Sequence, residues 1–207
     1  MKDPYKNIAK WYDLIFEPLN SGLWNIGIKM YPPQKEMTVL DIGCGTGSFL
    51  KLYQKEGCNV FGIDLSPTML KEAQKKLGET ADLRLCNATA TNFPGGKFDI
   101  IISSTVLHEM PIDVRLLVLK EAKRILAKDG RVLLIDFHPD TEISIKGLYT
   151  KIIITIAELL AGRDHYKNYR HFIRNGGLPS LIDSTKLKIV DHKIVGGGNL
   201  GIFLLKK

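Results

Sequence analysis

The chain has 207 residues, of which 44% are hydrophobic and 25% are charged. This length fits one domain with a substantial core, and the composition excludes a disordered or fibrous chain. Its net charge of +7 is concentrated toward the end, since residues 141–207 hold 11 Lys and Arg against 5 Asp and Glu. That excess of positive charge can attract a phosphorylated substrate, an acidic membrane surface or nucleic acid. A solvated basic face that binds no partner explains the charge equally well.

The cysteine content and the apolar runs indicate where the protein resides. Three cysteines without framework spacing predict free thiols in a reducing compartment. Neither they nor the five histidines have metal-ligand spacing, so no metal is expected. The start of the chain lacks the apolar segment of a secretory signal, and the run from Ile152 to Ala161 is shorter than the about 20 residues that span a bilayer. We therefore expect a cytoplasmic protein, with peripheral membrane contact through the basic last third as an open alternative.

The first two thirds of the chain alternate between apolar runs and helical patterns, which predicts βαβ units and a mostly parallel sheet. After N-terminal cap helices over residues 1–30, the predicted strands are Thr38–Ile42, Asn59–Asp64, Leu83–Cys86, Phe98–Ser103 and Arg131–Phe137. The predicted helices are Ser48–Glu56, a helix capped by Ser66 and Pro67 that runs to Leu77, and Asp113–Leu126, with Gly130 just beyond its end.

The last third differs in kind. A helix is predicted over Ile143–Leu160 and a short one over Lys167–Asn175. Two strands, Leu187–Val195 and Leu200–Leu205, flank a glycine-rich break. The predicted fold is thus α/β and Rossmann-like, with helices on both faces of a mostly parallel sheet that ends in an antiparallel β-hairpin. We assign residues 1–207 to one domain, with a cofactor-binding core at 38–137, a substrate-side insertion at 141–180 and the hairpin at 187–206.

The segment Val39–Gly47, VLDIGCGTG, leaves a buried strand and enters a helix. Its glycines let the backbone approach a ligand closely, and the helix N-terminus adds amide donors. Asp64 ends the next strand, where a carboxylate can accept hydrogen bonds from both ribose hydroxyls. The spacing is not the GxGxxG of dinucleotide sites, and Asp41 would repel a pyrophosphate but could bind an ammonium group. The pattern therefore favours a ligand with a ribose and an amino-acid tail over NAD.

Four motifs in order make the stretch from Val39 to Phe137 resemble the class I S-adenosylmethionine-dependent methyltransferases, and in particular the small-molecule branch with the ubiquinone/menaquinone methyltransferases. They are VLDIGCGTGSFL, FGIDLSPTML, FDIIISSTVLHEM and ILAKDGRVLLIDF. The resemblance implies S-adenosylmethionine as methyl donor and S-adenosylhomocysteine as product, with no metal.

The resemblance also assigns residues to the parts of this cofactor. The glycines would surround the methionine part, Asp64 would hold the ribose, and Asn87 stands where the family often has an acidic residue at the adenine amino group. The N-terminal YKNIAKWYD resembles a cap in which Tyr5 and Tyr12 would touch the cofactor, although ordinary packing explains these tyrosines equally well. The implied cofactor positions are Tyr12, Asp41, Gly43, Cys44, Gly45, Gly47, Asp64, Leu65, Met69, Asn87, Ala88, Ser103 and Ser104.

Methyl transfer from a sulfonium requires alignment and exclusion of water, and a base only where the acceptor must lose a proton. His108 and His138 follow the fourth and fifth strands at the carboxyl edge of the sheet, so they are candidates for acid–base work or for hydrogen bonding. His165, Tyr166 and His171 lie in RDHYKNYRHFIR, which could face a substrate or form a solvated polar turn.

The acceptor is inferred from the insertion, where an apolar helix adjoins the cations Arg163, Lys167, Arg170 and Arg174. This pairing suits a small hydrophobic or amphiphilic acceptor, such as a quinone precursor or a lipid-like molecule, unless the helix simply packs on the sheet. Nucleic-acid base methylation is disfavoured, because the fourth strand is followed by Thr105 and Val106 rather than a Pro-Pro-aromatic loop. A nucleotide-dependent oxidoreductase and a non-catalytic S-adenosylmethionine-binding relative remain alternatives, and the sequence does not determine the oligomeric state.

Overall fold

The structure is a computed structural model of the chain, and it describes residues 3, 6, 9–139 and 145–207. The strands are β1 (Thr38–Ile42), β2 (Asn59–Asp64), β3 (Asp82–Leu85), β4 (Phe98–Ser104), β5 (Leu126–Phe137), β6 (Lys188–Val195) and β7 (Leu200–Lys206). The helices are α1 (Ala9–Met30), α2 (Ser48–Lys55), α3 (Pro67–Leu77), α4 (Ile112–Ile125), α5 (Ile145–Ala161), α6 (Arg163–Arg174) and α7 (Gly177–Asp183).

The described strands form a seven-stranded sheet in the order β3-β2-β1-β4-β5-β7-β6. β1 to β5 pair in parallel, and β7 runs antiparallel to both β5 and β6. This arrangement confirms the predicted α/β fold with its terminal antiparallel hairpin. The order reverses beside β1, where β1 lies between β2 and β4, and ligands bind at such switch points in parallel sheets.

Both faces of the sheet are covered, which explains why the central strands are mostly apolar on both of their faces. Neighbouring residues alternate between two cores, because successive side chains of a strand point to opposite faces. Leu40 belongs to one core, with residues from α4, α6 and α7. Val39 belongs to the other, with residues from α1, α2 and α3. Among the described helices, none combines the length and apolar character needed to cross a membrane.

Several predicted boundaries shift by one to five residues, and the largest shift lies between α4 and β5. The helix predicted to end at Leu126 ends one residue earlier, and β5 begins at Leu126, which pairs with Phe98 of β4. Gly130 therefore lies inside a strand rather than beyond a helix. A Cβ there would lie 3.0 Å from the backbone oxygens of Phe98 and Asp99, so the glycine serves the close approach of two strands.

The last third contains more helix than the sequence predicts. The polar segment Arg163–Arg174, for which a solvated turn was one alternative, is a helix throughout, because Tyr169 and Phe172 on one side of it are buried. α7 was not predicted. At the N-terminus the described residues contain one long helix, α1, where several cap helices were expected. Tyr5 and the start of the predicted helix at Ile143 lie outside the described residues.

Candidate functional site

A cavity of about 520 Å³ opens at the carboxyl ends of β1, β2 and β4. Most of the positions that the sequence assigns to the cofactor line it: Tyr12, Asp41, Gly43, Cys44, Gly45, Asp64, Leu65, Met69, Asn87, Ala88 and Ser104. The other two are not among the lining residues: Gly47 faces Ala73 and Leu77 of α3, and Ser103 is buried in the sheet with its hydroxyl lacking a hydrogen-bond partner among the described residues. The structure thus brings the predicted binding residues to one place.

The glycine loop between β1 and α2 has a backbone that only glycine adopts without strain. Gly43, Gly45 and Gly47 have φ of 71°, 52° and 76°. A Cβ on Gly45 would have nothing within 4 Å, so this residue presents bare backbone to the cavity. A Cβ on Gly43 would lie 2.6 Å from Val106, and one on Gly47 2.7 Å from Leu77. The first and third glycines therefore permit packing, and the middle one permits a ligand to approach.

Asp64 at the end of β2 holds this loop in place. Its Oδ2 accepts a hydrogen bond of 2.9 Å from the Gly45 amide, and its Oδ1 accepts one of 2.8 Å from the Ser66 amide. Burial raises the pKa of Asp64, while the hydrogen bonds from Ser66 and Gly45 oppose that rise. A carboxylate oxygen has more than one acceptor site, so Asp64 can support the loop and bind a ribose hydroxyl together.

Asp41 in β1 is the least satisfied carboxylate in the cavity. It is 3% exposed, and its Oδ1 has no hydrogen-bond partner among the described residues. Burial, with a contribution from the charge of Asp64, raises the pKa of Asp41 well above its usual value. A buried acceptor without a partner is costly, and a ligand with a cationic donor in the cavity would satisfy it. The ammonium group of an amino-acid tail fits this requirement.

Cys44 lies in the same loop and is also buried. Burial, and then the charges of Asp41 and Asp64, raise the pKa of its thiol well above the usual value. The sulfur therefore stays protonated and is a poor nucleophile. Its place in the loop agrees with a contact residue and not with covalent catalysis.

The N-terminal helix α1 closes one side of the cavity through polar contacts with the other elements. Asp13 accepts hydrogen bonds from Thr46, from Ser48 at 3.2 Å and from Lys76 at 2.6 Å. Farther along α1, Trp24 donates to the Ser104 hydroxyl at 3.1 Å. These contacts hold the helix over the glycine loop, as expected for a cap.

Tyr12 of α1 also lines the cavity, as the resemblance implied. Burial, and then the charge of Glu109, raise the pKa of its hydroxyl. The group therefore remains protonated at neutral pH and can donate a hydrogen bond into the cavity.

Asn87 lines the cavity together with Leu65 and Met69. Its Oδ1 accepts hydrogen bonds from the Thr89 amide at 3.0 Å and from the Thr89 hydroxyl at 2.9 Å. The amide oxygen that would accept from an adenine amino group is therefore already engaged in a local turn. If Asn87 serves the adenine, it must share this oxygen or use its NH₂ group.

The wall opposite the glycine loop was largely missed by sequence reasoning. It follows β4, where Thr105 adopts φ of 54°, rare for a β-branched residue, and donates its amide to the Ile135 oxygen at 2.7 Å. This turn places Val106 against Gly43. The wall continues with Glu109, Met110, Pro111, Val114 and His165. In the sequence, only the end of the motif FDIIISSTVLHEM and the histidines of RDHYKNYRHFIR pointed to this wall.

His165 and Glu109 are the acid–base groups nearest each other in this wall, with 3.7 Å between His165 Nδ1 and Glu109 Oε1. Both side chains are partly exposed to the cavity. An imidazole beside a carboxylate can accept a proton and be stabilised once charged.

The two histidines proposed as catalysts lie elsewhere. His108 is 2% exposed, and its Nδ1 is 2.7 Å from Asp136 Oδ1 while its Nε2 is 3.4 Å from Glu158 Oε1. Burial opposes the charged ring, but the charge and hydrogen bond of Asp136, with Glu158, prevail and raise the pKa of His108 to about 10. His138 bonds through Nδ1 to the Gly198 oxygen at 3.0 Å. Neither ring lies among the described residues that line the cavity.

The cavity is strongly anionic. Among the described lining residues there are six carboxylates and no lysine or arginine. The carboxylates are Asp3, Asp13, Glu17, Asp41, Asp64 and Glu109. Such a cavity favours a cation and repels a pyrophosphate. Among the described residues no cluster of histidine, cysteine and acidic side chains could hold a metal ion.

Comparison with known proteins agrees with this geometry. A family model described as a methyltransferase domain matches residues 40–134. The chain is 27% identical to a ubiquinone/menaquinone biosynthesis C-methyltransferase UbiE of Rickettsia rickettsii (strain Sheila Smith), over 96% of this chain and 88% of the relative. It is 33% identical to a 2-methyl-6-phytyl-1,4-hydroquinone methyltransferase of Synechocystis sp., over 54% of this chain and 35% of the relative.

The fold has close counterparts among solved structures. The crystal structure of a SAM dependent methyltransferase from Aquifex aeolicus superimposes with a TM-score of 0.69 at 21% identity, with both chains fully covered. At this identity the likeness shows the fold alone.

Proposed function

We propose that this chain, which belongs to the class I S-adenosylmethionine-dependent methyltransferases, methylates a small, uncharged and largely apolar acceptor that carries a ring hydroxyl. The observation that carries the proposal is the composition of the cavity. Its carboxylates suit a cationic methyl donor, and the wall of Met110, Pro111 and Val114 suits an apolar acceptor.

The residues of the loop and of the strand ends fit the donor. When bound, S-adenosylmethionine supplies a methyl group on a sulfonium that departs as a neutral thioether. Asp41 would bind its ammonium group, Asp64 its ribose, and Gly45 the methionine part through exposed backbone. α1 excludes water from the reacting atoms, which strengthens these electrostatic contacts. The anionic lining disfavours the alternative of a nucleotide-dependent oxidoreductase, because a dinucleotide carries two phosphate charges.

The proposed acceptor class rests on the opposite wall and on the relatives. An anionic acceptor would meet Glu109 and would be repelled, whereas a neutral ring can pack against Met110 and Val114. Both curated relatives described above are named for methylation in quinone chemistry. A reduced hydroquinone ring is electron-rich and neutral, so it satisfies the charge of the cavity and can act as a carbon nucleophile.

The proton that such an acceptor loses would go to His165. As the ring carbon bonds to the methyl group and the carbon–sulfur bond breaks, the hydroxyl proton of the acceptor passes to the imidazole. Glu109, 3.7 Å away, stabilises the imidazolium that results. The ring hydrogen then leaves as a proton while the ring oxygen takes back a proton from the imidazolium, which restores the aromatic hydroquinone and the neutral imidazole. One proton is thus released for each methyl group transferred.

The test uses deuteromethyl S-adenosylmethionine and a water-soluble 1,4-naphthohydroquinone, with the oxidised naphthoquinone as a matched control. We expect one deuteromethyl group on the hydroquinone by mass spectrometry and none on the quinone, whose ring is electrophilic. Labelling of a lipid extract under the same conditions would identify a natural acceptor. Equal labelling of both redox forms, or labelling confined to anionic acceptors, would contradict the proposed acceptor class.

His165→Gln tests the proton acceptor, with His171→Gln as its control on an exposed position of the same helix. We expect the first substitution to lower kcat about a hundredfold or more and the second to leave it unchanged. The loss should shrink as the pH approaches the pKa of the acceptor hydroxyl, and cofactor affinity should be unaffected. A kcat that falls equally at every pH would assign His165 a structural role instead.

A further inference from the structure

Helix α5 has an apolar face that no described element covers. Seven large apolar side chains occupy one side of it, and each is between 42% and 92% exposed. These residues, named here the α5 stripe, are Ile145, Leu148, Tyr149, Ile152, Ile153, Ile156 and Leu159. They follow the three- and four-residue spacing of a single helical face and extend over about 20 Å. A contiguous apolar surface of this kind marks an interaction site.

The orientation of α5 is held by its other side. Gly147 and Glu158 are buried against the protein, and Glu158 contacts His108 Nε2 through Oε1 at 3.4 Å. Asn199 donates a hydrogen bond of 2.8 Å to the Gly147 oxygen. Rotation of the helix to bury the stripe would break these contacts, so the outward direction of the stripe is built into the fold.

Exposed cations lie on α5 itself and on α6, which packs against it. Lys151 on α5 and Arg163, Lys167 and Arg170 on α6 are exposed. The acidic residues between 145 and 174 are Glu158, which is buried, and Asp164. The exposed surface around the stripe is therefore positively charged, and it complements a negatively charged partner.

A second apolar group lies on α1, the helix that closes the cavity. Trp11 and Leu14 are 63% and 73% exposed, and their neighbours Tyr12 and Asp13 line the cavity. α6, which packs against α5, contributes His165 to the same cavity. Two helices that line the cavity, α1 and α6, thus carry exposed apolar side chains or pack against a helix that does.

We propose that the α5 stripe lies in the interface of an anionic lipid bilayer, with the α6 cations at the level of the headgroup phosphates. An apolar face flanked by lysine and arginine is typical of helices that lie in the plane of a membrane surface. The same face of a second copy fits less well, because two positively charged surfaces would meet across the symmetry axis. The inference rests on the proposed function in one respect, which is that a bilayer would hold a lipophilic acceptor.

The test is flotation of the full-length protein with vesicles of phosphatidylcholine, alone or with phosphatidylglycerol. We expect binding to the anionic vesicles that weakens as salt is raised. The double variant Ile152→Asp/Ile156→Asp should lower the partition coefficient between water and vesicles tenfold or more. The reason is that it removes the apolar area that two half-exposed isoleucines would bury in the membrane. The control Leu117→Asp replaces an exposed apolar side chain on α4 by aspartate, and it should leave the partition coefficient unchanged.

A second variant separates the charge from the apolar contact. Arg163→Gln/Lys167→Gln should lower binding to the phosphatidylglycerol vesicles about twenty-five-fold, since each cation near an anionic surface contributes about fivefold. Binding of S-adenosylhomocysteine by each variant, measured by thermal shift, reports an intact fold and an intact cofactor site independently of vesicle binding. A parent protein that binds the cofactor but floats with neither vesicle overturns the docking proposal and leaves the proposed function standing. A dimer in solution that Ile152→Asp/Ile156→Asp dissociates also overturns it, because the occupant is then a second copy.

Discussion

The unpartnered carboxylate of Asp41 makes a sharp test of the cofactor site, because its removal should affect stability and binding in opposite directions. The pKa of Asp41 is raised by burial, so its ionised form is destabilised in the folded protein. A polar group buried without a partner costs about 1–3 kcal/mol, and more when charged. Asp41→Asn should therefore stabilise the cofactor-free protein by about 1–2 kcal/mol at pH 8, or on the order of 5 °C in Tm for a chain of this size.

The sign follows from the direction of the shift. A group whose pKa is raised on folding stabilises the protein below its unfolded pKa, and this contribution is lost as the pH rises through the folded value. The difference in Tm between Asp41→Asn and the parent protein should thus be absent near pH 4 and should grow toward pH 8. Asp183→Asn, on an exposed position of α7, should show no such divergence.

Binding should change the other way. Loss of a charge-assisted hydrogen bond to an ammonium group weakens affinity about tenfold to a hundredfold. Calorimetry should show this loss for S-adenosylmethionine and for S-adenosylhomocysteine alike, because both carry the ammonium group and only the first carries the sulfonium. Unchanged affinity for both ligands would refute the role of Asp41 in binding. A loss confined to S-adenosylmethionine would place Asp41 beside the sulfonium instead.

Three further predictions concern other contacts of the site. Asp64→Ala should abolish measurable S-adenosylhomocysteine binding, since it removes the ribose acceptor and the support of the glycine loop together; binding as tight as that of the parent would contradict the assignment. The His108–Asp136 pair should stabilise the fold fully below about pH 6.5 and lose its contribution as the pH rises toward about 10, so the unfolding free energies of His108→Gln and parent should converge over that range. Asp13→Asn removes the carboxylate that binds Lys76, so α1 should become accessible to limited proteolysis and cofactor affinity should fall several-fold; an unchanged digestion pattern would show that other contacts suffice.

Local signals determined which parts of the fold could be predicted. β2 and α3 match their predicted bounds, because an apolar run ends at Asp64 and a Ser-Pro pair starts the helix, with Ser66 accepting from the Met69 amide at 3.1 Å. The boundary between α4 and β5 was wrong because strand pairing decides it. Leu126 is a good helix residue, and its pairing with Phe98 overrides that preference.

The residues of the site also divide into those that local sequence predicts and those that only long-range packing brings together. Residues within the glycine loop and at the strand ends lie at fixed offsets in recognisable motifs, so the sequence could assign them. The contact between Trp24 and Ser104 joins residues 80 positions apart, and that between His165 and Glu109 joins two elements with no shared motif. No periodicity or spacing encodes such contacts. The cavity wall that contains Glu109, Met110 and His165 therefore forms only once α1 and α6 are packed on the sheet.

The buried histidine after β4 helps to orient the cavity wall that Glu109, Met110, Pro111 and Val114 form, although its own ring is not among the described lining residues. On one side of the short helix Leu107–Glu109, His108 is held by Asp136 and Glu158, and Arg115 donates to the oxygens of Leu107 and His108 at 2.8 and 3.1 Å. With His108 fixed inward, the next residue, Glu109, must face the cavity. We therefore infer that His108 is a positioning residue, and that its replacement would disturb acceptor turnover more than cofactor affinity, because its neighbours form the acceptor wall and not the glycine loop.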